Sequence, residues 1–153
     1  MALSRTTLRS IALILFALVL LPSAAFATDP VYSNWRGLAI KGTDPVGYFT
    51  ESRPVEGSST HSLEYLGATW RFSTAENKAA FEADPEKYLP QYGGYCAYAV
   101  SQGDTASVDP EAWSIVDGKL YLNYSNSVME TWLEDLPGNI VKANKNWPGL
   151  RDS

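Results

Sequence analysis

The chain of 153 residues carries 12 basic and 17 acidic side chains, a formal net charge of −5 at pH 7. This acidic composition argues against binding to nucleic acid or to anionic lipid surfaces, because both attract basic proteins. The length fits a single domain with a substantial core. The 5 Trp, 9 Tyr and 5 Phe residues are numerous enough to fill that core and also to line a surface or pocket.

The N-terminal segment has the pattern of a cleavable secretory signal. Arg5 and Arg9 precede an apolar run of 11 residues, 11–21, whereas a helix that spans a bilayer needs about 20. Ala25 and Ala27 then provide the small-x-small pattern of a signal-peptidase site. The pattern therefore predicts cleavage after Ala27.

Cleavage at this site separates a signal peptide, residues 1–27, from a single mature domain, residues 28–153. Losing two arginines and no acidic residue changes the formal charge from −5 to −7. We expect the mature domain to be periplasmic or secreted and to have no stable membrane anchor. The alternative interpretation of the apolar run is an uncleaved anchor or a buried N-terminal helix.

The first half of the mature domain predicts a short strand, a loop and a β-hairpin. Residues 38–40 have the composition of a short strand, and residues 51–60 are rich in Ser, Gly and Pro, as loops are. Apolar residues alternate in residues 62–66 and 68–72, on either side of Gly67. This period-two alternation around a glycine predicts a hairpin.

Two helix starts follow this hairpin. Ser73 and Glu76 have the spacing of a capping box, so we expect a helix with Ser73 as its N-cap. Proline suits the first helical position, and Asp84-Pro85 therefore predicts a second short helix that ends at Tyr88.

A glycine pair and an Asp-Gly turn organise the next part of the chain. Gly93-Gly94 predicts a sharp change of direction into a buried segment that ends near Val100. Asp117-Gly118 stands between two alternating runs, residues 113–116 and 119–124. That arrangement is typical of a type I′ turn and predicts a two-residue hairpin.

Two C-terminal helices complete the predicted fold. Ser127 and Glu130 form a second capping box, for a helix that runs to about Leu133. Residues 137–147 predict a final helix, with Pro148 as its stop signal. Hairpins with segregated helices indicate an α+β fold, here a small single domain with its helices packed on one side of the hairpins.

Few residues in the chain carry obvious chemistry. One histidine is too few for an HExxH zinc site, and no phosphate-binding loop or G-x-S-x-G nucleophile motif is present. The soft donor atoms belong to His61, Cys96 and Met129, a ligand set that suits copper(I) or zinc. The alternatives are that His61 is a polar surface residue, that Met129 is part of the core and that Cys96 is a buried structural thiol.

Cys96 is the only cysteine of the chain. Small exported domains often rely on disulfides, and an unpaired thiol in an oxidising compartment is exposed to oxidation. We therefore expect Cys96 to be hidden in the core, to bind a metal, to react, or to pair with another chain.

The segment from Asp44 to Leu89 resembles the YHS domain. The closing pattern of Phe, acidic-Pro and Lys-Tyr-Leu is the most specific part of the match. The matching stretches are Asp44-Pro45-Val46, residues 60–65 around His61, residues 70–73 and residues 81–89. The resemblance implies a small YHS-like core related to metal-binding modules of the TRASH type, which are associated with copper and other heavy metals.

The sequence departs from that family at its ligand positions. The resemblance implies cysteine ligands just after Asp-Pro-Val and around the strand-to-helix turn. Gly47, Ser73 and Asn77 stand near those positions here, so the usual thiolate site does not carry over. Only His61 transfers from the motif, and Cys96 lies outside the matched segment.

Three functions remain open at this point, and no reaction is identifiable. The first is a non-metal binding module, with an aromatic pocket or face for a small ligand or a protein partner. The second is a periplasmic metal-binding protein of the copper type that uses Cys96 and His61, with a third ligand from Met129, a carboxylate, water or a partner chain. The third is a thiol enzyme in which His61 lowers the pKa of Cys96.

Overall fold

The computed structural model describes residues 28–153, so the predicted signal peptide, residues 1–27, lies outside the described residues. Helices and two small antiparallel sheets make an α+β domain, as expected. No helix in the described part of the chain combines the length and apolar character needed to cross a membrane. In chain order the elements are a 3-10 turn Ile40–Gly42, α1 Gly47–Thr50, β1 Ser58–Tyr65, β2 Ala68–Phe72, α2 Ala75–Ala83, α3 Pro85–Tyr88, a 3-10 turn Gln91–Gly94, α4 Ala97–Ser101, β3 Asp109–Val116, β4 Lys119–Asn123, α5 Asn126–Glu134 and α6 Leu136–Arg151.

The first hairpin, β1–β2, forms at the predicted position. Leu63 pairs with Trp70 and Tyr65 pairs with Ala68, and an irregularity in register lies between Ser58 and Ser62. Because successive side chains of a strand point to opposite faces, alternate residues of β2 enter the core. These residues are Ala68, Trp70 and Phe72, each 1% exposed or less.

The second hairpin, β3–β4, turns at Asp117-Gly118 as expected. Both residues have positive φ, 51° and 74°, which is the backbone that a type I′ turn requires. On β4, Leu120 and Leu122 are fully buried and belong to the same core cluster as Trp70 and Phe72 of the first hairpin. Local turn chemistry therefore sets this register.

Both long helices that follow a hairpin have a different N-cap from the predicted one. Thr74, not Ser73, caps α2, since its Oγ1 accepts the Asn77 N–H at 3.1 Å. Ser125, not Ser127, caps α5, where its extended backbone lets Oγ accept the Val128 N–H at 3.3 Å. A free hydroxyl in extended backbone decides the cap in each case.

Two further predictions are wrong in their boundaries. Residues 38–40 make only isolated bridges, Ser33 with Ala39 and Leu38 with Thr69, before the chain turns into a 3-10 turn. Helix α6 continues through Pro148 to Arg151. Proline lacks an N–H and strains an established helix, but here one helical turn continues past it, and the Asp152 N–H bonds to the Pro148 carbonyl.

The core consists of two adjoining clusters. The larger lies between the hairpins and α2, where Phe81 contacts the rings of Trp70 and Phe72 at centroid distances of 5.4 and 5.2 Å. The smaller joins β4, α5 and α6 around Tyr121 and Trp132, whose rings are 5.5 Å apart. The smaller cluster fixes α6 beside the rest of the domain, which positions the cleft described below.

Candidate functional site

Asp44 lies at the centre of a buried hydrogen-bond network. Its side chain is 0% exposed. Oδ1 accepts the backbone N–H of Val46 at 2.8 Å and of Gly47 at 3.4 Å. Oδ2 accepts the backbone N–H and the hydroxyl of Ser73 at 2.8 and 2.7 Å, and the Asn77 side-chain amide at 2.8 Å. Charge-assisted bonds of this kind offset the cost of burying a carboxylate.

This network joins three positions at which the family resemblance implies cysteines. Gly47, Ser73 and Asn77 come from different segments, and all three bond to the Asp44 carboxylate. Ser73 donates its hydroxyl here, which explains why it does not cap α2. The groups that meet at Asp44 are the backbone amide of Gly47, the hydroxyl of Ser73 and the side-chain amide of Asn77. None of them is a thiolate, so this set does not fit a soft metal of the copper type.

Packing at Gly47 also opposes the family's ligand. A Cβ at this position would lie 2.9 Å from Cγ2 and 3.1 Å from Cβ of Val55. Real Cβ atoms are not found so close to a neighbour. A cysteine at residue 47 therefore requires Val55 to move.

Cys96 is held inside the core, with 1% of its surface exposed. Its Sγ accepts the Tyr124 N–H at 3.3 Å and lies 3.7 Å from Oδ1 of Asn123. The same Oδ1 accepts the Tyr98 N–H at 3.1 Å. These bonds tie the segment before α4 to the end of β4, and they give the thiol a structural role.

The other predicted ligands lie on separate elements. His61 is half-buried on β1, close to the irregularity in register, and Met129 is half-buried on α5. Within residues 28–153, no group of three or more His, Cys, Asp and Glu side chains is placed to hold a metal ion. The described hydrogen bonds of the Cys96 thiol are with Asn123 and Tyr124, so a two-residue site of Cys96 and His61 stays a prediction.

A cleft of about 420 Å³ opens beside α6 and is lined by both apolar and polar groups. Four separate stretches of chain meet there: the N-terminal arm, the β1–β2 turn, the segment from α3 through the second 3-10 turn, and α6. The lining residues that matter below are Pro30, Glu86, Tyr92, Asn144, Trp147 and Arg151. Cavities of this size hold a small organic molecule.

Aromatic side chains stabilise one wall of the cleft. The Trp147 ring lies 6.2 Å from the Tyr92 ring and 5.8 Å from the Tyr95 ring. The Tyr92 hydroxyl donates to Oδ1 of Asn144 at 3.0 Å. Burial, reinforced by the neighbouring Tyr121, raises the pKa of Tyr92 well above its ordinary value, so this hydroxyl stays protonated and neutral.

Gly93 lets the N-terminal arm close the other side. Its φ is +60°, and a Cβ there would lie 2.1 Å from the Pro30 carbonyl oxygen. The Tyr32 N–H donates to the Gly93 carbonyl at 2.9 Å. Only glycine combines this backbone conformation with so close an approach of the arm.

The charged groups of the cleft differ in their partners. Arg151 donates through Nε to Oδ1 of Asp152 at 2.9 Å. Glu86 is exposed and takes part in none of the ion pairs described for residues 28–153. The cleft therefore carries a carboxylate that is free to meet a ligand and a guanidinium that already has a counter-charge.

Comparison with known families identifies part of this chain. The family model of the YHS domain matches residues 46–92. This segment is a YHS domain. No curated protein and no solved structure matches the chain. The YHS domain suggests a possible metal-binding role, and no specific function follows from the match alone.

The YHS domain supplies only part of the cleft. The matched segment provides Leu66, Glu86 and the wall from Leu89 to Tyr92, whereas Pro30 and the α6 residues lie outside it. The cleft is therefore formed by the YHS domain together with the additional N-terminal arm and C-terminal helix of this chain.

Sequence reasoning missed the two most developed features of the site. Asp44 was singled out only as part of Asp-Pro-Val, although a polar residue before a buried apolar turn signals a possible backbone cap. For the cleft, no local signal exists, because Pro30, Tyr92 and Trp147 are distant in sequence.

Proposed function

We propose that the mature chain is an exported binding protein without catalytic activity, which holds a small ligand in the cleft beside α6. The observation that carries the proposal is the cleft itself, an aromatic and polar cavity of about 420 Å³ built jointly by the YHS domain and α6. Largely preformed cavities with a few placed polar groups are the usual form of small-molecule sites.

The absence of thiolates around Asp44 supports this assignment over the family's metal chemistry. In the described residues the Asp44 carboxylate accepts five hydrogen bonds, one from the Val46 N–H and four from Gly47, Ser73 and Asn77 at the ligand positions. The scaffold is thus stabilised by neutral donors and one carboxylate. On this proposal the YHS segment acts as a rigid wall for the cleft.

Export is the second part of the proposal, and the N-terminal pattern supports it. The arginines, short apolar run and Ala-x-Ala exit of residues 1–27 are those of a secretory signal. N-terminal sequencing of protein expressed from the full chain and recovered from the periplasm should begin at Thr28. A chain that retains Met1 in the cytoplasm contradicts this part.

The experiment that tests binding is a thermal-shift screen of the purified protein against a library of small polar and aromatic metabolites. A ligand that binds only the folded state increases the free energy of unfolding, by about 2.7 kcal/mol at a hundredfold excess over Kd. The midpoint temperature of unfolding rises as a result. We expect hits that lose their shift in Trp147→Leu. Trp35→Leu is the matched control, since Trp35 is 92% exposed and does not line the cleft.

Two outcomes contradict the proposal. One is a screen without hits, and the other is a set of hits whose shifts survive Trp147→Leu. Far-ultraviolet circular dichroism checks that Trp147→Leu is folded.

The alternative function is metal binding through Cys96 and His61. One observation favours it, namely a free cysteine in a chain with a YHS domain. Titration with copper(I) and zinc(II) decides, because tight binding that is lost in both Cys96→Ser and His61→Ala establishes such a site. The cleft proposal predicts no tight binding that depends on both residues.

A further inference from the structure

We propose that the cleft takes a small organic cation, a ligand with an ammonium group on an apolar body. This inference rests on the proposed function, since it names the class of ligand for the same cleft. It is carried by three features of the cleft: its free carboxylate, its aromatic wall and its limited size.

The charged groups of the cleft favour a cationic ligand. Glu86 lines the cleft without an ion-pair partner among the described residues, while the guanidinium of Arg151 is paired with Asp152. The unpaired charge is therefore negative. Asp152 offsets the charge of Arg151 but contacts only its Nε, whereas Glu86 has no such counter-charge among the described residues and meets a cation without breaking a contact.

The aromatic wall of the cleft suits a cation as well. Trp147 and Tyr92 line the cleft, and tryptophan has the ring face that attracts cations most strongly. The hydroxyl hydrogen of Tyr92 is used by Asn144, which leaves the phenolic oxygen as an acceptor for an ammonium hydrogen. An aromatic wall and a carboxylate together are the usual means of holding an organic cation.

The electrostatic field of the whole domain is negative. Residues 28–153 hold 10 basic and 17 acidic side chains. Such an excess of negative charge raises the local concentration of cations and slows the approach of anions. The long-range field and the charge inside the cleft thus favour the same sign of ligand.

The size of the cleft limits the size of its ligand. A cleft of about 420 Å³ accommodates a molecule of roughly amino-acid to dipeptide size. The prolines and leucines of the lining give it apolar surface that a bare metal ion does not use. The occupant is therefore an organic ion with a hydrocarbon or aromatic body.

The experiment compares three probes that share one body. 2-Phenylethylammonium is the cation, 2-phenylethanol the neutral analogue and 3-phenylpropionate the anion. Each is titrated into the purified protein by calorimetry at low salt and again at about 0.15 M salt, where exposed charges are screened beyond ~8 Å. We expect the cation to bind about tenfold more tightly than the alcohol, a difference of about 1.4 kcal/mol, and the anion to bind most weakly.

Variants assign the preference to the cleft. Glu86→Gln should reduce cation affinity about three- to tenfold and leave the alcohol unchanged. Glu130→Gln changes an exposed carboxylate on α5 that lies outside the cleft and, like Glu86, takes part in none of the ion pairs of the described residues; it is the matched control and should change neither. If Glu86→Gln fails to fold, the salt series on the unmodified protein still tests the charge preference, because only the cation's affinity should fall with salt.

The outcomes separate this inference from the proposed function. Equal or tighter binding of the alcohol or the anion, lost in Trp147→Leu, overturns the cation inference and leaves the cleft as a binding site. A cation preference that survives Glu86→Gln also overturns it. No binding of any probe overturns the cation inference, while the metabolite screen still decides whether the cleft binds a ligand.

Discussion

Asp44 shows how one buried side chain can hold three segments together. Its carboxylate is fully buried and accepts hydrogen bonds from the loop at Val46-Gly47, from Ser73 after β2 and from Asn77 on α2. Removing one partner from a buried, satisfied network leaves the others unpaired, which costs more than the bond itself.

Asp44→Asn should therefore destabilise the protein by about 2–4 kcal/mol. In the native protein every partner of the Asp44 side chain is a hydrogen-bond donor. The NH2 group of asparagine is also a donor, so at least one of these bonds is replaced by a donor–donor contact. Urea denaturation measures the loss. Asp117→Asn is the control, since that exposed turn residue has φ of +51°, which asparagine adopts readily. An equal effect of both substitutions contradicts the role of Asp44.

Buried tyrosines, Tyr48 and Tyr92 among them, make the free energy of unfolding depend on pH in alkali. Burial raises the pKa of Tyr48, with help from the nearby Glu111 and Asp109, and burial also raises the pKa of Tyr92. A group whose pKa is raised in the folded state stabilises that state below its unfolded value, here 10.0, and loses this contribution as pH rises further.

Unfolding free energy should accordingly fall as pH is raised above about 10. Tyr92→Phe should show a shallower fall, because one of the tyrosines with a raised pKa is gone. Tyr124→Phe, at an exposed tyrosine, should match the unmodified protein. Urea titrations at a series of pH values measure these slopes. Identical slopes for Tyr92→Phe and Tyr124→Phe contradict the interpretation.

At the level of elements, local chemistry predicted the hairpins better than the helix ends. Asp117-Gly118 specifies its turn within two residues, so the second hairpin is readable from the sequence. The N-cap of α2 could not be predicted in this way, since the Ser73 hydroxyl donates to the carboxylate of Asp44, 29 residues away. Pro148 does not end α6, which continues for one turn beyond it to Arg151.

Gly93 links an element boundary to the cleft, and it can be tested against a matched glycine. Gly93→Ala places a Cβ 2.1 Å from the Pro30 carbonyl oxygen, whereas a Cβ at Gly118, with φ of +74°, meets nothing within 4 Å. Both substitutions carry the cost of positive φ for a residue with a Cβ, about 1–2 kcal/mol. We expect Gly93→Ala to lose about 2–4 kcal/mol in urea denaturation and to weaken ligand binding, because the arm must move.

If Gly93→Ala and Gly118→Ala lose the same stability, the arm is not held against Gly93 as described. If Gly93→Ala is less stable yet binds ligand normally, the arm does not shape the cleft.

At the scale of the whole molecule, the function depends on how a YHS domain is combined with the rest of the chain. The YHS segment was recognisable from its sequence, and so was its lack of family cysteines. The cleft was not, because it forms only where α6 and the N-terminal arm pack against residues 86–93. Aromatic content predicted a pocket somewhere, and tertiary structure alone places it.

The central claim is that this chain binds an organic ligand beside α6 and does not depend on a thiolate metal site. The most direct measurement is amide and indole NMR shift mapping on the uniformly ¹⁵N-labelled protein, titrated separately with 2-phenylethylammonium and with zinc(II). We predict saturable shifts for 2-phenylethylammonium at Tyr92, Asn144 and the Trp147 indole. Zinc shifts centred on both Cys96 and His61, without cleft shifts from 2-phenylethylammonium, would contradict it.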